Sequence, residues 1–238
     1  MDALVEDRLI EGAGTPEADW QSWPGLHDVP PCDVEDLVPP GKRAVVVAPH
    51  PDDEVLAFGG LLAMLATAGR PALVVAVTDG EASHPGSAHW PARRLGPRRT
   101  EESCTGLACL GMSERQRVRL GVPDGRVAAD AERLAARLGA FIRDDDVLFS
   151  TWERDGHPDH EASAAAVALA AGRHGVRHVQ APVWMWHWAA PADARIPWAR
   201  MRRLPLPEAA LLQKRSAIAA HETQLHPQDT GAPPVLTA

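Results

Sequence analysis

The chain has 238 residues, with 24 Lys and Arg against 32 Asp and Glu, for a formal net charge of −8. That balance speaks against a basic face for nucleic acid, and no run approaches the ~18 consecutive apolar residues of a membrane span. With 45% hydrophobic residues, the chain can bury a sizeable core, and its length suits one doubly wound α/β unit.

The chain opens on an acidic stretch, Met1 to Asp7, where a secretory leader needs a basic segment, so the cytoplasm is the expected compartment. Residues 1–42 carry Trp20, Trp23 and the pairs Pro30-Pro31 and Pro39-Pro40. They are expected as an extended arm packed on a single domain that spans 43–238. A first strand is expected at 43–48, a helix at 54–68 and, past Gly69-Arg70-Pro71, a second strand at 72–78. Residues 81–97 read as a long loop of the kind that often carries binding function. A helix at 98–110, a strand at 117–120, a helix at 129–143 and a strand at 147–150 follow. The next helix extends to about residue 172, a further strand lies within 178–188, and 207–221 forms an amphipathic helix before a tail from 228. This alternation predicts an α/β, Rossmann-like three-layer sandwich on a mostly parallel sheet. Cys32, Cys104 and Cys109 are odd in number and lack metal-binding spacing, so no disulfide framework is expected.

Two clusters of imidazoles and carboxylates directly follow expected strands. Ala48-Pro49-His50-Pro51-Asp52-Asp53-Glu54 comes after Ala44-Val45-Val46-Val47, and Asp155-Gly156-His157-Pro158-Asp159-His160 comes after Val147-Leu148-Phe149-Ser150. Open α/β sheets bind ligands outside the carboxyl ends of their strands. A catalytic zinc takes three protein ligands and keeps a position for water. His50 and Asp53, three residues apart, can reach one ion from a strand–helix junction, with His160 arriving from another strand end. Asp52 then lies beside the metal, placed to take a proton from water. His157 and Asp159 remain for charge stabilisation and for orienting an imidazole. Spacing alone would let these roles be exchanged, and each cluster taken singly also suits acidic first-turn residues of a helix. The first strand leads into His-Pro-Asp-Asp and not into Gly-x-Gly-x-x-Gly, which sets aside a dinucleotide site.

The pair Pro49-His50-Pro51-Asp52-Asp53-Glu54 and His157-Pro158-Asp159-His160 resembles the LmbE-like, or PIG-L, family of zinc-dependent N-deacetylases. Val77-Thr78-Asp79-Gly80-Glu81, Leu110-Gly111, Gly121-Val122-Pro123-Asp124-Gly125 and the segment from Lys214 to Gln224 read as further landmarks, so the resemblance covers roughly 43–225. It implies that His50, Asp53 and His160 hold one zinc per chain, although such donors also accept other divalent metals. It further implies Asp52 as general base, and His157, preferably protonated, as the oxyanion stabiliser with Asp159 as its neighbouring carboxylate. Some relatives carry a tyrosine two residues before that histidine. Asp155 stands there in this chain, which has no tyrosine, so a phenolic donor is excluded.

The implied reaction is hydrolysis of an N-acyl group, acetyl in first place, from a glucosaminyl small molecule or glycoconjugate. By the same resemblance Arg98 or Arg99, together with Asp124, contacts the sugar ring. Asp155 and His187, the latter among Trp184, Trp186 and Trp188, are placed with the substrate-binding residues. The competing expectations are a solvated helix start for the arginines, a Pro-Asp-Gly turn for Asp124 and a core strand for the tryptophans. Competing functions are an amidase for a larger acyl group or thiol conjugate, and a metal-bound sugar-binding module without catalysis. Binding zinc requires neither Asp52 nor His157, so their joint presence favours the enzyme. A homo-oligomer is compatible with all of these.

Overall fold

A computed structural model of the chain describes residues 8–236. The acidic start at Met1 to Asp7 and the last two residues of the tail lie outside the described residues. Among the described residues, five strands form one parallel sheet. They are β1 (Arg43–Ala48), β2 (Ala72–Ala76), β3 (Arg117–Arg119), β4 (Asp146–Thr151) and β5 (Arg177–Ala181), in the order β3-β2-β1-β4-β5. Residues 44–48 of β1 are all buried, as befits a central parallel strand covered on both faces.

The helices are α1 (Glu17–Ser22), α2 (Pro24–Asp28) and α3 (Val34–Leu37) in the arm, then α4 (Asp53–Thr67), α5 (Ala92–Cys109), α6 (Ala131–Gly139) and α7 (Pro158–His174). After β5 come α8 (Met185–Trp188), α9 (Glu208–Ala219) and α10 (Glu222–Leu225). Alternation along β1 sends Ala44 and Val46 to one layer and Val45 and Val47 to the other. The first layer meets Leu62 and Leu65 of α4, Leu107 of α5 and Ala217 of α9. The second meets Leu134 and Leu138 of α6 and Val167 and Ala170 of α7. This is the expected α/β three-layer sandwich. No helix among the described residues is long and apolar enough to cross a membrane.

From β1 the chain winds outward through β2 and β3, then returns to lay β4 on the other flank of β1. Val45 faces Leu148 and Val47 faces Ser150 in register, so the carboxyl ends of β1 and β4 open side by side. Ligands of doubly wound sheets bind at such a switch point.

Two local expectations change. The loop expected to reach Pro97 ends earlier, because α5 begins at Ala92 and contains Pro97. The proline forfeits one backbone bond early in the helix, while burial of Leu95 and Gly96 stabilises the turn around it. The tryptophan stretch is not a strand: β5 stops at Ala181, ahead of Pro182, and residues 185–188 coil into α8. Met185 and the arm's Trp20 share a separate apolar cluster with Ile196. The Trp20 ring meets that of Trp186 edge-on at 5.1 Å, and Trp20 Nε1 donates to the Trp186 carbonyl at 2.9 Å. The arm is therefore not simply extended. Its short helices seat tryptophans beside the end of the sheet. The three cysteines are unpaired.

On β5, His178 Nε2 stands 2.8 Å from Ser150 Oγ, whose hydroxyl donates to the Thr151 carbonyl. Nε2 therefore carries the proton, and burial pushes the imidazole down to about 4. An unfolded histidine titrates near ~6.5, so the unfolded chain binds the extra proton between those values. Stability contributed above ~6.5 is lost as the pH falls toward 4. His178→Gln is expected to flatten this part of the pH dependence of the urea midpoint; an unchanged slope would remove His178 as its source.

Candidate metal centre and catalytic cleft

The chain leaves β1 through Pro49-His50-Pro51 and turns sharply at Asp52, whose φ is 143°. Side-chain-bearing residues avoid that region, at a cost of about 1–3 kcal/mol. Three sets of bonds hold it. The Asp52 carbonyl accepts from the amides of Val55 and Leu56 at 2.9 and 2.8 Å. Its own amide donates to Glu54 Oε2 at 3.0 Å, and Arg99 donates to its Oδ2 at 3.0 Å. At the second junction Pro158 occupies the first helical position of α7, where its missing N–H costs nothing. His157 caps that helix, its Nδ1 accepting from the Asp159 amide at 3.2 Å.

These turns bring His50 Nδ1, Asp53 Oδ2 and His160 Nε2 together. His50 Nδ1 lies 3.2 Å from His160 Nε2, and Asp53 Oδ2 lies 3.3 Å from the first and 3.2 Å from the second. Donors bonded at 2.0–2.1 Å in a tetrahedron stand roughly 3.3–3.4 Å apart. The three atoms therefore fit one face of a zinc-type coordination shell.

Each imidazole is also held in the tautomer that such a site needs. Asp155 Oδ2 is 2.7 Å from His160 Nδ1, so Nδ1 carries the proton and Nε2 is left as a ligand. His50 Nε2 faces Asp124 Oδ1 at 3.1 Å and Asp159 Oδ2 at 3.5 Å, which leaves Nδ1 as the ligand. Such carboxylate partners orient metal-binding histidines and raise their basicity. Burial works against protonating His160, but Asp53 and Asp155 outweigh it and hold the imidazole up at about 9. The same histidines hold the Asp53 carboxyl well below the usual carboxylate range, despite its burial.

Asp155 is fully buried. Its oxygens also accept from the amides of Val183, Trp184 and Met185 at 2.9, 3.0 and 3.0 Å. No oxygen is left for a substrate, so its expected contact role is corrected to that of a positioning residue for His160. Asp155→Asn is expected to weaken zinc affinity by about 10–100-fold, read by chelator competition. Equal affinity would remove that role.

Asp52 and His157 flank the donor set. Burial pushes the Asp52 carboxyl up to about 6, with Arg99 opposing. The His157 ring centroid is 4.8 Å from those of both His50 and His160. Burial, followed by those two neighbours, depresses its pKa to about 4. The resemblance favours a protonated imidazole here, whereas burial and the two neighbouring imidazoles favour the neutral form. Because Nδ1 accepts from a backbone amide, Nε2 carries the hydrogen and is a donor. Asp159 does not back up this ring through its carboxylate, which instead accepts from Gly125 and Val127 and faces His50.

A cleft of about 960 Å³ opens over this centre, bordered by His50, Asp52, Asp124, His157, Trp184 and His187 among others. The remaining predicted residues separate here. Asp124 stands on the cleft wall. Arg99 is buried, and its terminal nitrogens serve Asp52 and the carbonyls of Gly80 and Pro51. Arg99 anchors Asp52 and also borders the cleft. Arg98 turns away toward a second cavity, paired with Glu222 at 2.7 Å and Glu102 at 3.2 Å. His187 reaches the cleft, but its Nε2 lies 3.1 Å from the Glu11 carbonyl of the arm. Sequence reasoning missed the part played by Glu54, which it read as a first-turn acid. Its carboxylate braces the Asp52 amide and accepts from Ser103. Its neighbour His221 is buried and lies in the late landmark segment.

A buried cluster of two histidines and one carboxylate that could hold a metal ion, at the switch point of a parallel sheet, marks a class of α/β proteins. The sequence profile of the PIG-L family, described as GlcNAc-PI de-N-acetylase, matches residues 45–171, just over half of the chain. The chain belongs to the PIG-L family.

A 1D-myo-inositol 2-acetamido-2-deoxy-alpha-D-glucopyranoside deacetylase of Kineococcus radiotolerans is 31% identical over 168 residues, covering 55% of this chain and 46% of that protein. A deacetylase of the same description from Streptomyces avermitilis is 29% identical over 207 residues, covering 75% and 68%. The chain spans about half the length of the first curated relatives it matches. Among solved structures, the zinc-inhibited form of a teicoplanin deacetylase aligns with a TM-score of 0.57 at 18% identity, over 77% of this chain and 85% of that one. A 4-carboxy-2-hydroxymuconate hydratase from Pseudomonas putida aligns with a TM-score of 0.50 at 21% identity, over 78% and 80%. The fold thus carries more than one chemistry, and function must be argued from the site.

Proposed function

We propose that the chain is a zinc-dependent N-deacetylase acting on a glucosaminyl small molecule or glycoconjugate, with acetyl as the first acyl group to test. The observation that carries this is the convergence of His50 Nδ1, Asp53 Oδ2 and His160 Nε2 within 3.2–3.3 Å of one another, flanked by Asp52 and His157. The names of the curated relatives support the same reading. An ion held by these three residues supplies Lewis acidity and a water of lowered pKa.

The rest falls to the chain's own groups. Asp52, with a pKa near 6, is ionised at neutral pH and basic enough to accept a proton from the attacking water. Arg99 fixes its carboxylate, and the strained backbone at Asp52 aims it into the cleft. The same carboxyl then returns the proton to the amine nitrogen as the C–N bond breaks. The neutral His157 donates its Nε2 hydrogen to the oxygen that gains charge, a kind of contact worth about 2.7–4 kcal/mol of barrier. Asp124, on the cleft wall, is the contact for a sugar hydroxyl.

The test is acetate and amine release from a panel of N-acetylglucosaminyl compounds, with chelated and zinc-restored protein. Release that disappears on chelation and returns with zinc is expected. A zinc-loaded chain that releases nothing from any N-acylglucosaminyl compound would overturn the reading.

A further inference from the structure

Behind the strained turn at Asp52 lies a buried polar layer to which the reaction described above gives no task. Glu54 is 1% exposed, and its carboxylate accepts from the Asp52 amide and from Ser103 Oγ. A buried carboxylate with two such donors has lone pairs to spare, and its charge is costly without further support. His221 is also 1% exposed. Neither of its ring nitrogens has a hydrogen-bond partner among the described residues, although a neutral imidazole carries one donor and one acceptor. Buried polar atoms left in that state are rare and call for a reason.

The packing sets this ring beside Glu54. Ser103 and Gly106 lie one turn apart on α5 and share a face. Ser103 bonds Glu54. A Cβ added at Gly106 would stand 3.0 Å from His221 Nε2, 3.1 Å from the Ala217 carbonyl oxygen and 3.5 Å from Val55 Cγ2. Gly106 therefore leaves the room that the imidazole fills, one turn along from the Glu54 contact. Burial lowers the His221 pKa and raises that of Glu54, and each group is the other's foremost opposing charge. The backbone around His221 is pinned from the far side. The Thr223 amide and hydroxyl donate to Glu102 at 3.0 and 2.7 Å, and His84 Nε2 lies 3.0 Å from the Thr223 carbonyl.

We propose that His221 is a positioning residue for Asp52: its ring N–H supports the Glu54 carboxylate, and Glu54 holds the Asp52 amide and with it the direction of the base. His221 is not among the residues that border the cleft, so its effect passes through Glu54. The proposal rests on the deacetylase reading for its kinetic consequence and not for the contact itself.

His221→Leu in the zinc-loaded chain is expected to lower kcat by about ten- to hundredfold, the scale of a misplaced catalytic group, with KM and zinc content kept. The better of His221→Asn and His221→Gln, which offer an amide N–H near Nδ1 or Nε2, is expected to restore most of that loss. In a Glu54→Gln background, His221→Leu is expected to add nothing further, because the two residues act in series. Gly106→Ala, whose methyl displaces the ring, takes over the measurement if His221→Leu fails to fold. Parent-like kcat, a loss carried by KM or by zinc content, or an equal loss in both Glu54 backgrounds would overturn the proposal. Nitrogen NMR of isotope-labelled histidines reads the contact without turnover, the His221 signal being the one that His221→Gln removes. Glu54→Gln is expected to move that signal, and an unmoved signal would also overturn the proposal. A moved signal in a chain that releases nothing from any N-acylglucosaminyl compound would keep the contact and overturn the deacetylase reading. Release with an unmoved signal would do the reverse.

Discussion

Replacing Asp52 with asparagine is expected to lower turnover by about 10²–10⁴-fold while zinc stays bound at one per chain. The amide matches the carboxyl in size, and the turn at Asp52 is held by backbone bonds and by Glu54, so the donor set keeps its place. What disappears is the only feature the reaction needs from this side chain, an oxygen able to accept a proton. The substitution also leaves the buried Arg99 guanidinium without its charged partner, although the carbonyls of Gly80 and Pro51 still accept from it, and breaking one side of a buried pair typically costs about 3–5 kcal/mol. Metal content, thermal melting and kcat must therefore be measured on the same preparation. A variant that stays within tenfold of the parent would remove Asp52 as the base.

His160→Ala is expected to abolish stoichiometric zinc binding, and turnover with it. His160 is one of the three proposed donors, and its loss would leave His50 and Asp53, short of the three protein ligands that a catalytic zinc usually has. The fold should survive, because Asp155 keeps its three amide donors from residues 183–185. Elemental analysis alongside circular dichroism checks both halves. Folded protein with a full complement of zinc would reject the ligand assignment.

The convergence of His50, Asp53 and His160 was legible in the sequence because these residues sit just after strands that announce themselves. A run of buried valines predicts β1, and whatever follows a central parallel strand reaches the working face of the sheet. His50 and Asp53 are close in sequence, so one turn decides their geometry. Asp155 was harder to read, since its role depends on amides about thirty residues downstream that no local pattern specifies. Arg98 and Arg99 show a second limit. Neighbours on a helix point about 100° apart, and only the packing of α5 tells which one faces Asp52. The lowered pKa of His157 was out of reach for a related reason, because burial and the two nearby imidazoles are properties of the assembled site. The tryptophans fit an alternating strand as well as a helical turn, and Pro182 with the arm's Trp20 decided between them.

The separation of 110 residues between His50 and His160 has a consequence for how the chain matures. Two of the three proposed donors emerge from the ribosome long before the third, and at ~5–20 residues per second the interval lasts several seconds or more. During it, the first motif has no partner with which to retain an ion. An ion held by these three residues could join only once β4 has docked beside β1, so it would act as a late clasp and not as a seed for the sheet. Its binding energy would then fall on the native state, slowing escape from the fold more than hastening arrival.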